Sequence, residues 1–151
     1  RPQTGQRYYF GDVTMDIVHS QEHLPLEEYS GDINDSSTWV MFTIEGQKCL
    51  FCGDGESGSQ KAVMRHYDKA YLELDVFPFP HHGHHTRDEF TDYIEVKTVL
   101  ATVKEQVPAH RMAQNERLKK KANEWLVWGD GTKVLTFPYK VGTYEVQESY
   151  D

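Results

Sequence analysis

The feature that most limits what this chain can fold into lies between residues 48 and 79. The run Lys48-Cys49-Leu50-Phe51-Cys52 is short, apolar and closed by Gly53-Asp54-Gly55, as expected of a strand covered on both faces. A helix follows, with Ser57 or Ser59 available to cap it and Val63, Tyr67, Ala70 and Leu74 recurring at helical spacing. A second apolar run, Asp75-Val76-Phe77-Pro78-Phe79, then reads as another strand. Strand, helix and strand in one short stretch predict two parallel strands joined by a crossover helix. A short helix over 88–94, a strand over 97–103 and a helix over 111–124 repeat the unit, with Leu118, Ala122 and Trp125 as the last helix's inner face.

The chain on either side is simpler. Tyr8, Phe10, Val13, Met15 and Ile17 give alternating apolar positions around a turn at Gly11-Asp12. His19 and His23 fall in the polar loop beyond and read as solvated. Residues 31–37 carry the Asn, Asp and Ser side chains of a local turn, and strands over 38–44 and 47–52 meet across Glu45-Gly46. Residues 132–147 read as two strands around Lys140-Val141-Gly142. The expected class is α/β, a mixed sheet flanked by helices in one domain spanning residues 1–151.

Composition argues against some functions. A net charge of -8 argues against general nucleic-acid binding, which rests on clustered Lys and Arg. No apolar run has the length of a membrane segment, and no signal peptide is visible. The chain starts at Arg1 rather than Met, so the expectation is a processed or excised piece of a longer protein, cytoplasmic in setting. Cys49 and Cys52 lie three apart on one strand and so face opposite ways, which suits buried free thiols better than a redox pair or zinc knuckle.

The chemistry gathers at two strand ends. Four of the eight histidines stand between His81 and His85, directly after the strand 75–79, and Asp54 directly follows the strand 48–52. Parallel neighbours finish at the same edge of a sheet, about 5 Å apart, where ligands of open α/β sheets collect. Imidazole and carboxylate suit Zn²⁺, Mn²⁺ or Fe. Either group alone would read as a polar turn; together in this setting they read as part of a metal site. Gly53, Gly55 and Gly83 let the backbone turn tightly beside it. Arg117, Lys119, Lys120 and Lys121 read first as a solvated helix face and second as a patch for phosphate-bearing substrates. Trp125, Trp128, Tyr139 and Tyr144 read as core rather than pocket lining.

The order Asn34-x-Ser36, strand, Gly53-Asp54, helix, then strand and Pro80-His81-His82-Gly83 resembles the C-terminal half of a metallo-β-lactamase-fold hydrolase. The likeness is to its His-His-Gly type, which includes the hydrolase-like domain of the competence DNA-uptake protein, and it covers roughly residues 7–148. It implies an αββα sandwich with a two-metal site, typically zinc, between its halves. By that resemblance Asp54 would bridge the metals, His81 would be the last ligand, and His82 would sit beside the site orienting a ligand or substrate. A hydroxide activated by the two metals would be the nucleophile. His-x-His-x-Asp-His, the family's main ligand motif, does not occur in the chain, and His84 stands where the DNA-uptake relatives often have Ser. The expectation is therefore a C-terminal portion whose N-terminal half is missing, inactive alone, with that half as its partner. By itself the portion would form a homodimer through the uncovered sheet face. The competing expectation is a non-catalytic half-fold for assembly or binding, whose histidines take metal only incidentally; His84 and His85 read as surface histidines or as extra substrate contacts.

Overall fold

The computed structural model describes residues 1–24, 27, 31–83, 86–101, 109–127 and 131–147, without the side chains of residues 23 and 109–114. Among the described residues seven strands form one sheet in chain order: β1 (Arg7–Phe10), β2 (Val13–His19), β3 (Trp39–Ile44), β4 (Gln47–Phe51), β5 (Glu73–Pro78), β6 (Glu95–Ala101) and β7 (Glu124–Val127). The first four are antiparallel and β4 to β7 are parallel. The fold is α/β with a mixed sheet, as expected. Turn chemistry explains the antiparallel half: Glu45 and Gly46 both take positive φ (51° and 76°), the conformation a two-residue hairpin between twisted strands needs.

Three helices, α1 (Ser57–His66), α2 (Asp88–Tyr93) and α3 (Ala109–Lys121), make the three parallel crossovers. Val63, Phe90 and Leu118, one from each, join Trp39, Met41, Leu50, Cys52 and Phe77 in a single buried cluster. All three therefore cover the same face of the sheet. The other face shows in one register row that crosses every strand: Tyr8, Met15, Phe42, Cys49, Val76, Thr98 and Glu124. Over its centre runs the segment carrying β8 (Thr132–Val134) and β9 (Glu145–Gln147), whose Tyr139 packs with Cys49 and Val76. Gln47 anchors this strap, its amide donating to the Tyr139 carbonyl at 2.8 Å, while Glu124 accepts from the Gly142 N–H at 2.7 Å. The two cysteines are free, buried and in separate clusters on opposite faces, as their spacing requires.

Three expectations need correction. The helix after β4 ends at His66, so of Val63, Tyr67, Ala70 and Leu74 only Val63 lies on it. Tyr67 is already extended, and the Asp68 carboxylate takes the Tyr71 N–H at 2.8 Å, a local bond that replaces another helical turn. Neither Ser57 nor Ser59 caps α1; the Asp35 carboxylate, far upstream, accepts from its first N–H groups instead. The final helix stops at Lys121, and Trp125 belongs to β7, where its ring meets Phe79 edge-on at 5.7 Å. Strand pairing with β6 outweighs the helical spacing of Leu118, Ala122 and Trp125.

Candidate functional site

Cys49 and Val76 pair in parallel, so β4 and β5 deliver their C-terminal ends to one edge of the sheet. The two exit loops are stitched together there, the His81 N–H donating to the Gly53 carbonyl at 3.0 Å. The β4 loop admits no side chain at Gly55: a Cβ there would sit 2.2 Å from Trp39 Nε1 and 2.9 Å from Ser59 Oγ. That tight floor fixes the backbone between Asp54 and Glu56.

A second loop supports it from below. Ile33–Ser36 is a single 3-10 turn begun by Asp32, whose carboxylate accepts from the Asn34 N–H at 2.9 Å. The turn carries Asp35, fully buried, to the start of α1. One Asp35 oxygen accepts from the N–H groups of Gly58 (3.0 Å) and Ser59 (3.1 Å), so the helix is capped across the chain rather than by its own serines. The Asp35 carbonyl in turn lies 3.2 Å from His19 Nε2, which donates to it. His19 is only 1% exposed and stands edge-on to Trp39, which corrects its reading as a solvated loop histidine. It closes β2 and faces the same core as Trp39 because a bulge at Val18 shifts the register between Ile17 and His19, so that Val18 and His19 both turn inward.

The histidine pair has an unusual backbone. His81 (φ 46°, ψ 47°) and His82 (φ 50°, ψ 33°) are both left-handed, and Gly83 follows at φ 81°. Left-handed geometry costs a residue with a Cβ roughly 1–2 kcal/mol. Two in succession, held by surrounding contacts, are the kind of local strain that accompanies functional loops.

Each imidazole meets a carboxylate. His82 Nε2 lies 3.9 Å from Asp54 Oδ1, both side chains well exposed. His81 Nδ1 lies 2.8 Å from Glu56 Oε1, with both side chains mostly buried at 21% and 17% exposure. Asn34 Nδ2 approaches the same Glu56 oxygen at 3.4 Å. The site is thus an outer pair, Asp54 with His82, and an inner pair, His81 with Glu56. The sequence singled out Asp54, His81 and His82 but missed Glu56. Its only signal was an acidic side chain two residues after Asp54, and its partner is set by topology.

The outer pair comes close to the spacing of two donors on one ion but lies wider than a tetrahedral centre sets them. Two donors bound at about 2.0–2.2 Å lie about 3.4 Å apart at a tetrahedral angle, and approach 4 Å as the angle opens. The 3.9 Å between Asp54 Oδ1 and His82 Nε2 corresponds to an angle of about 136° at such an ion, so the two side chains would have to draw together by about 0.5 Å for tetrahedral binding. Among the described residues no group of three or more His, Cys, Asp or Glu is gathered for a metal. His84 and His85 lie outside the described residues.

The other candidates take structural places. Arg117 pairs with Asp92 and, at 3.4 Å, with Asp88, and Lys121 donates to the Thr91 carbonyl at 3.1 Å and meets Glu95 at 3.2 Å. Half of the basic cluster therefore ties α3 to α2 and β6. Tyr139 and Trp125 pack against the two cores, and Trp128 lies outside the described residues. No helix among the described residues is long and apolar enough to cross a membrane. No protein-family model matches the chain, and no curated protein matches it.

Proposed function

We propose that this chain is the C-terminal portion of a metal-dependent hydrolase of the metallo-β-lactamase fold, contributing Asp54 and the His81-His82 pair to a two-metal site. The observation that carries the reading is the 3.9 Å approach of Asp54 Oδ1 to His82 Nε2 at neighbouring parallel strand ends, on a left-handed histidine turn. Zn²⁺ is the favoured ion, with Mn²⁺ or Fe as substitutes of similar ligand chemistry. The metal would supply Lewis acidity and an activated water. Asp54 would hold it from β4, one of the two histidines from β5, and the other histidine would orient a ligand or substrate.

Two donors do not complete a hydrolytic centre, which needs three protein ligands and an open position. The remaining ligands are assigned to a complementary half packed on the strap side of the sheet, and the chain alone is inactive in this reading. Two free buried thiols suit the reducing, cytoplasmic setting that goes with it. Zinc titration of the metal-free chain by calorimetry tests the proposal. Asp54→Ala is expected to weaken the tightest site at least tenfold, and an unchanged isotherm would overturn the reading.

A further inference from the structure

Glu56 is the one acidic residue at these strand ends that the metal reading leaves without a task. Its Oε1 is 2.8 Å from His81 Nδ1 and both side chains are largely buried, so the contact is a directed hydrogen bond rather than a loose surface pair. A carboxylate has no proton to give, so the imidazole must donate, and the proton resides on Nδ1. In the neutral ring the lone pair then belongs to Nε2. Glu56 is itself placed: Gly55 locks the backbone against Trp39, Asp35 caps the helix that starts after it, and the Asn34 amide reaches the same oxygen. His81 is held from the other side by its own N–H on the Gly53 carbonyl, in a left-handed conformation an unsupported histidine would leave.

We infer that Glu56 is a positioning residue which holds His81 in the Nδ1–H tautomer, so that His81 presents its basic nitrogen through Nε2. A carboxylate behind a histidine does this in many metal sites, fixing the ring's orientation and raising its basicity. The inference rests on the metal reading for what Nε2 would bind, but not for the tautomer itself. It also gives the two histidines different standing: His81 is set by a largely buried partner, while His82 meets Asp54 in an open setting.

Long-range ¹H–¹⁵N correlation spectra of the histidine rings decide it, recorded on the full chain about two units above the ordinary imidazole value of about 6.5. The His81 signals, assigned with His81→Asn, should show the proton on Nδ1 and none on Nε2 in the unmodified protein. Glu56→Gln, whose amide oxygen still accepts, should keep that pattern; Glu56→Ala should shift it toward the Nε2–H form. Zinc affinity measured on the same samples should fall about 10- to 100-fold in Glu56→Ala and recover in part in Glu56→Gln. An Nε2–H ring in the unmodified protein would overturn the inference, with no variant needing to fold. So would a pattern unchanged in a folded Glu56→Ala. Nδ1 protonation without zinc binding would leave Glu56 in this role and sink the metal reading instead.

Discussion

His82 Nε2 stands 3.9 Å from Asp54 Oδ1, although one residue leaves β5 and the other leaves β4. Only parallel pairing of those strands brings the two groups to a common edge, and a helix must fit between them for that to happen. The stability of α1 is therefore tied to the geometry of the candidate site.

Asp35 is the point at which that tie can be cut. Replacing it with Ala removes the acceptor for the Gly58 and Ser59 N–H groups in a fully buried setting. Loss of a cap and the stranding of buried donors together are expected to cost about 2–4 kcal/mol. Chemical denaturation should show the midpoint falling without a change of slope. Asp35→Asn, which keeps an acceptor oxygen, should lose less.

A second prediction concerns acid. Hydrogen bonding from Arg7 holds the Asp16 carboxyl below its ordinary value against the opposing effect of burial, and the Tyr71 hydroxyl, donating at 2.9 Å, helps. The folded form binds this proton less readily than the unfolded chain. The stabilisation is thus complete above the unfolded value of about 3.9 and is lost as pH falls through the lower folded one. Asp16→Asn should lower the melting temperature at neutral pH, and the gap from the unmodified protein should close below about pH 4. A gap that stays constant through that range would show that the charge is not responsible.

The exposed sheet face gives the third. Tyr8, Phe10 and Phe51 are 40%, 59% and 44% exposed on the face opposite the helices, beside the half-buried Val13, Met15, Phe42 and Ile44. The strap at Tyr139 covers the centre of that face and leaves this end open. Without a complementary half, the chain should pair with a second copy there. Light scattering at micromolar concentration should report twice 17.6 kDa, and Phe10→Glu with Phe51→Glu should return the single-chain mass. A single-chain mass for the unmodified protein would contradict the pairing.

Much of the architecture was legible because it is written locally. The alternation through Tyr8–Ile17, the Glu45-Gly46 turn and the apolar runs around Leu50 and Phe77 each carry their own signal. Misreadings arose where a distant partner decides. Ser57 and Ser59 look like caps until Asp35 arrives from another loop, and Trp125 keeps helical spacing until β6 offers it a strand. His19 reads as a loop residue unless one knows that the Asp35 carbonyl meets it inside. The same division runs through the candidate site. Asp54, His81 and His82 could be picked out because each follows a readable strand, whereas Glu56 acquires meaning only through the ring that reaches it.

The proposed metal ion at the β4–β5 strand ends is checked by anomalous diffraction at the zinc edge from zinc-loaded crystals. The predicted result is a peak about 2.0–2.2 Å from the Asp54 carboxylate and from a nitrogen of His81 or His82. Zinc-loaded crystals whose anomalous peaks all lie at other histidines, with none at Asp54, would contradict it.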